Sequence, residues 1–140
     1  MRIIMSEAEQ TLSIIKPDAV ERNLTEKIKD IFTQNNLKIK DSKKIHITKD
    51  EAAEFYKVHQ AKPFYNELCS YLSSGPIVAM ILEGKDAVIL NRKIMGATDP
   101  KNAEDNTIRK LFGISIDKNS VHGSDSAENA KKEIDFFFKN

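Results

Sequence analysis

Two hydrophobic rhythms run along the chain, and the places where one gives way to the other mark its elements. Thr11-Leu12-Ser13-Ile14-Ile15-Lys16 reads as a strand that stops at Pro17-Asp18. Leu24, Ile28, Ile31 and Phe32 then recur at helical spacing, and Asn35-Asn36 supplies an end signal. Leu37 and Ile39, then Ile45 and Ile47, alternate as strand residues around the polar Asp41-Ser42. Thr48 with Glu51 makes a capping box for a helix carrying Ala52, Phe55 and Tyr56. Pro63 opens another short helix with Phe64, Leu68 and Leu72 on one face, closed by Ser73-Ser74-Gly75-Pro76. The unbroken apolar run Ile77 to Leu82 is expected to be a central strand. Ala87, Leu90 and Ile94 mark a helix stopped by Gly96, and residues 97–120 follow no regular pattern. In the last helix Asp125 is expected as the cap, Glu128 as its answer, and Ala127, Ala130, Ile134 and Phe137 as the inward face. Strands interleave with helices and several connections are too short for parallel crossovers. The expected class is therefore α+β with a largely antiparallel sheet.

Composition adds boundaries. A chain of 140 residues, without repeats or low-complexity runs, fits one domain over residues 11–140 behind a short, frayed extension at 1–10. The net charge of +1, from 22 basic and 21 acidic residues, gives no reason to expect a nucleic acid or a membrane as partner. Cys69 is the single cysteine, which excludes an internal disulfide and a cysteine-based metal cluster, and its apolar neighbours point to a buried thiol. No apolar stretch approaches the ~20 residues of a membrane span, and the opening Met1 to Met5 is too short for a signal peptide, so a cytoplasmic protein is expected.

Candidate chemistry concentrates in Asn119-Ser120-Val121-His122-Gly123-Ser124-Asp125-Ser126. A histidine ahead of a helix N-terminus, followed by glycine and hydroxyl residues, suits a phosphate, and a neutral imidazole is a competent nucleophile toward phosphorus. The motif alone leaves open whether His122 does more than cap a turn. Lys16, Arg92 and Arg109 would each pass for a surface charge unless they converge on one anion. A GxxxxGK[ST] loop and a protein-kinase glycine-rich loop are both missing, so any nucleotide must be held another way.

Read together and in order, Ser13 to Val20, Phe55-Tyr56 with Lys62-Pro63-Phe64, Ser74-Gly75-Pro76, Leu82-Glu83-Gly84, Met95 to Pro100, Thr107-Ile108-Arg109 and Asn119 to Ser126 resemble the nucleoside diphosphate kinase family, over about Leu12 to Phe138. The resemblance implies a ferredoxin-like βαββαβ fold, with a four-stranded antiparallel sheet covered by helices. It implies ping-pong transfer of a γ-phosphate, typically from ATP, to nucleoside diphosphates through a phosphohistidine at His122. It further implies that Lys16, Arg92, Thr98 and Arg109 hold the phosphates, that Asn119 with Lys16 lies near the ribose, and that Phe64 stacks on the base. Tyr56 would line the phosphate pocket, and Glu133 and Ser124 would orient the imidazole. Magnesium would ride on the nucleotide phosphates, with no metal ligands from the protein. A homo-oligomer built from dimers is implied, with the tetramer favoured over the hexamer. His46 and His59 are read as structural.

The chain departs from the family pattern in three places: Val58 where an acid is common, Asp105-Asn106 in place of Pro-Gly, and Lys110-Leu111 in place of Gly-Asp. None is a catalytic position. The rival readings are a non-catalytic nucleotide-binding regulator on the same fold and a carrier that passes phosphohistidine phosphate to proteins.

Overall fold

The computed structural model describes residues 8–115 and 118–138; residues 1–7, the side chain of Val58 and the chain end at Asn140 lie outside the described residues. Four strands, β1 (Ala8–Ile15), β2 (Lys38–Ile45), β3 (Ile77–Lys85) and β4 (Val121–Gly123), form one sheet in the order β2-β3-β1-β4. Every neighbouring pair is antiparallel. That order, with helices between the strands, is the ferredoxin-like arrangement, and β3 does pair on both sides as its apolar run demands. β1 starts at Ala8, ahead of the expected Thr11, because Ala8 to Gln10 continue the ladder opposite Lys85 to Glu83. The polar Asp41-Ser42 lies inside β2, where a bulge between Ile39 and Asp41 shifts the register.

Helices cover both faces. Toward one face, α2 (Thr25–Gln34), α5 (Ala87–Met95) and α6 (Ile108–Phe112) bury Ile28, Phe32, Ile94, Met95 and Ile108 against Ile15, Val78, Met80, Leu82 and Val121. Toward the other, α3 (Lys49–Phe55), α4 (Tyr65–Leu72) and α7 (Ala127–Phe138) bury Ala52, Cys69, Leu72 and Phe137 against Leu12, Ile14, Ile77 and Ala79. The side chains of β1 and β3 alternate between these two layers; β3 reads as a nearly continuous hydrophobic run, whereas β1 sets the buried polar Thr11 and Ser13 among its apolar residues. The Thr48–Glu51 capping box forms as expected, with Thr48 Oγ1 3.1 Å from Glu51 N and Glu51 Oε1 2.8 Å from Thr48 N.

Several local expectations change. Pro17 does stop β1, but it also occupies the first turn of a short helix, α1 (Pro17–Glu21), where its missing N–H costs nothing. The unpatterned stretch contains α6, capped by Thr107, whose Oγ1 accepts from Lys110 N at 3.3 Å. The cap of α7 is Ser126, which accepts from Asn129 N at 3.1 Å, whereas Asp125 accepts from the Asn129 side chain at 2.6 Å. Ala127 stands exposed, so the inward face of α7 begins at Ala130. Phe64 precedes α4 and is 44% exposed, so it does not share a buried face with Leu72.

Candidate active site

His122 stands ahead of the last helix as expected, and it lies in a strand: β4, where it pairs with Ile14. The pairing turns its side chain to the α3–α7 side of the sheet, since Ile14 belongs to that layer. There its Nε2 sits 3.0 Å from Glu133 Oε1 on α7. Ser124 donates to the same carboxylate oxygen at 2.9 Å and accepts from Leu12 N at 3.3 Å, which ties Glu133 to the sheet. Phe55 and Tyr56 approach the imidazole edge-on, with ring centroids 5.2 and 6.4 Å away.

β4 is an edge strand, and the pocket forms where elements from both faces wrap around that edge. A cavity of about 800 Å³ is lined by Lys16, Tyr56, Phe64, Arg92, Thr98, Arg109, Asn119, His122 and Glu133. These are the expected site residues apart from Ser124, which is buried behind Glu133. Such a volume suits a nucleotide-sized ligand.

Backbone geometry holds the cations in place. Lys16 stands between β1 and α1 and donates from Nζ to Asn119 Oδ1 at 2.9 Å, while Asn119 Nδ2 donates to Thr98 O at 3.1 Å. Arg109 donates from Nη1 to Gly96 O at 3.0 Å and from Nη2 to Val121 O at 2.9 Å, so it bridges the end of α5 to β4. Burial, and then the neighbouring Arg92, pull its pKa down to about 10 from 12.5. Gly96 carries φ 89°, and a Cβ there would fall 2.5 Å from Thr107 Oγ1, so only glycine admits this approach. Burial, and then the charge of Glu133, raise the Tyr56 phenol, so it stays a neutral donor at physiological pH.

A clasp behind the pocket fixes the segment carrying Asn119. Asp18 accepts from the Tyr71 hydroxyl, from Arg22 Nη2 at 3.1 Å and from Ser120 Oγ at 3.2 Å. Arg22 also donates to Phe112 O at 2.6 Å, and Lys16 N donates to Ser120 O at 2.8 Å. Tyr71→Phe removes one partner from the Asp18 carboxylate and another from Asp18 N, at about 1–3 kcal/mol. We expect a lower melting temperature together with weaker nucleotide binding, measured by thermal unfolding and by titration calorimetry.

His59 has a different place from the structural one expected of it. It lines the pocket, with its ring 6.1 Å from that of Tyr56 and 6.5 Å from that of Phe64. Burial, then Lys62 and His122, hold its imidazole below the usual histidine value. Its position in sequence between Tyr56 and Lys62-Pro63-Phe64, both site strings, was the available signal. His46 instead places Nε2 2.8 Å from Ser73 O, away from the pocket. Among the described residues no group of three or more His, Cys, Asp or Glu side chains could hold a metal ion.

A carboxylate-held imidazole facing buried cations is an arrangement suited to phosphoryl transfer. The model of the family described as nucleoside diphosphate kinase matches residues 9–140. The nucleoside diphosphate kinase of a Nitratiruptor species is 58% identical over 130 residues, covering 93% of this chain and 95% of that protein. That of Rhizorhabdus wittichii is 57% identical over 131 residues, 94% of each. Among solved structures, the nucleoside diphosphate kinase of Aquifex aeolicus superposes with a TM-score of 0.93 at 46% identity, over 95% of this chain and 96% of that one. The chain belongs to the nucleoside diphosphate kinase family, and it is a kinase of nucleotide metabolism.

Proposed function

We propose that this kinase works by a ping-pong mechanism through a phosphohistidine at His122 Nδ1. The observation that carries the reading is the contact of His122 Nε2 with Glu133 Oε1 at 3.0 Å. A carboxylate accepts and cannot donate, so the imidazole keeps its proton on Nε2 and leaves the Nδ1 lone pair for attack. In the first half-reaction Nδ1 forms a bond to the γ-phosphorus, the bond to the β–γ bridging oxygen breaks, and the nucleoside diphosphate leaves. In the second, a terminal oxygen of another diphosphate takes the phosphoryl group and Nδ1 recovers its lone pair.

The remaining roles follow from chemistry and place. Arg92, Arg109, Thr98 and Lys16 hold the phosphates and stabilise the charge on the transferring group. Arg109 spends one hydrogen on each of two carbonyls and keeps further N–H groups for phosphate oxygens. Asn119 and Lys16 meet the ribose, and Tyr56 lines the phosphate end. The cationic lining suits a metal that arrives on the nucleotide, and Mg2+ so carried neutralises phosphate charge. Phe64, half exposed at the mouth, offers a π-face that any base can stack on, worth ~1–3 kcal/mol. Base selectivity is therefore expected to be weak. Comparing kcat/KM for adenine, guanine, cytosine and uracil diphosphates checks this, and a preference of several thousand-fold would require edge readout by other residues.

Incubation with γ-labelled ATP and an excess of a second diphosphate tests the mechanism. Label passing through the protein into the new triphosphate is expected. Label retained on protein would favour a protein-directed carrier, and no label would favour a non-catalytic nucleotide binder. We further propose a cytoplasmic homo-oligomer built from dimers, with the tetramer favoured over the hexamer. No helix among the described residues is long and apolar enough to cross a membrane, and Leu111 and Ile114 expose apolar surface. Sedimentation equilibrium reads the oligomer directly.

A further inference from the structure

The layer between α5 and the sheet is apolar except for one island. Asn91 on α5 and Thr11 and Ser13 on β1 are fully buried. Thr11 Oγ1, Ser13 Oγ, and both Asn91 Oδ1 and Nδ2 have no hydrogen-bond partner among the described residues. Buried polar atoms left so are rare, and each costs the hydration it gave up. Four of them on one interface call for a purpose.

Register brings them together. Glu9, Thr11 and Ser13 share the face of β1 that meets α5, and Glu9 Oε1 accepts from Val88 N at 2.9 Å at the start of the helix. At the other end Ser13 pairs with Gly123 of β4. A Cβ on Gly123 would lie 2.3 Å from Asn91 Nδ2 and 2.7 Å from Met95 Cε, so the Asn91 amide fills the space that glycine leaves open. Asn91 is thus seated directly behind the catalytic strand, one residue from Arg92, and Gly123 is one residue from His122. On the pocket side Arg109 makes the same connection, from Gly96 O at the end of α5 to Val121 O of β4. The α5–β4 junction is clamped twice, once in the pocket and once in the core.

We infer that Asn91 is a positioning residue, joined to Thr11 and Ser13 through buried water, which holds α5 on β4 so that Arg92 stays aligned with the polyphosphate of a nucleotide brought to His122. A polar site with several converging donors and acceptors is the kind that retains an internal water. An apolar side chain in place of Asn91 would pack against Gly123 without directional bonds, and the helix would settle by packing alone. The inference rests on the phosphohistidine reading above.

Two phosphoryl donors separate positioning from bulk structure. ATP reaches His122 only when its phosphates are held by Arg92 and its neighbours. Phosphoramidate transfers its phosphoryl group to an imidazole nitrogen as its own P–N bond breaks and ammonia leaves, and it has no polyphosphate for α5 to hold. Rates of His122 labelling by both donors are measured by quenched flow for wild type, Asn91→Leu, Asn91→Ala and Asn91→Ser. We expect Leu and Ala to slow labelling by ATP on the order of ten- to a hundred-fold, since small misplacements are costly. Labelling by phosphoramidate should stay at the wild-type rate, and Ser, which keeps a hydroxyl for the water, should recover most of the loss. An unchanged ATP rate, or equal losses with both donors, overturns the inference; either Leu or Ala decides it should the other fail to fold. Wild type taking no label from either donor would bring down the phosphohistidine reading, a result distinct from these.

Discussion

His122→Ala should bind nucleoside triphosphate and diphosphate normally and transfer no phosphate between them. The residues proposed to hold the ligand are anchored independently of the imidazole. Lys16 is held by Asn119, Arg109 by Gly96 and Val121, and Phe64 stands at the pocket mouth. Removing the ring therefore takes away the nucleophile and leaves the grip. No folding penalty comparable to a core truncation is expected, because His122 is part-exposed to the pocket. Titration calorimetry should give an unchanged affinity while coupled assays give no turnover. The acid-labile, base-stable label of a phosphohistidine should vanish as well. His59 makes that measurement sharp. Its imidazole lines the same cavity, burial and Lys62 lower its pKa, and it is the one other imidazole facing the pocket among the described residues. Label persisting in His122→Ala, and lost again on replacing His59, would reassign the nucleophile.

The parts of this molecule that could be read from sequence are those where the signal is local and repeated. The apolar run Ile77 to Leu82 marks a strand flanked on both sides, and the Thr48–Glu51 box forms as spaced. β4 escaped because a three-residue edge strand is too short for period-two alternation to register. That omission mattered, since β4 sets His122 on a sheet edge facing α7, where the sequence left open a turn ahead of the last helix. Pro17 signals a strand's end in the sequence, although the same fixed φ also opens a helix. Asp125 and Ser126 are both good caps, and adjacent candidates cannot be ranked without backbone geometry. The pocket posed a different problem. Lys16 meets Asn119 across 103 positions of sequence, and no periodicity encodes such a contact. The ordered strings of family residues supplied it instead. His59 lay inside those strings, but its chemistry became visible only once its ring was placed beside Tyr56 and Phe64.

Glu133→Gln should slow phosphorylation of His122 by on the order of 10²–10⁴ while leaving nucleotide affinity nearly unchanged. Glu133 Oε1 faces His122 Nε2 at 3.0 Å and Ser124 Oγ at 2.9 Å, and both of those groups donate to it. As Nδ1 attacks phosphorus the ring acquires positive charge, and a carboxylate against Nε2–H stabilises that charge as it develops. A glutamine oxygen can still accept from Nε2–H, so the tautomer survives, but the full negative charge does not. A glutamine that turns its NH2 toward the ring would instead favour the other tautomer and place the proton on Nδ1, which blocks attack. Both outcomes lower the rate of the chemical step. Neither touches Lys16, Arg92 or Arg109, so KM for ATP should change far less than kcat. Glu133 also belongs to α7, and its bond to Ser124 ties that helix to β1 through Leu12 N. The melting temperature is therefore measured beside the rate, with Ser124→Ala as the companion variant. That change removes the strut behind Glu133 but keeps its charge against the imidazole, so it should lower stability more than it lowers the rate. A full rate in a normally folded Glu133→Gln protein would reduce Glu133 to a structural partner of Ser124.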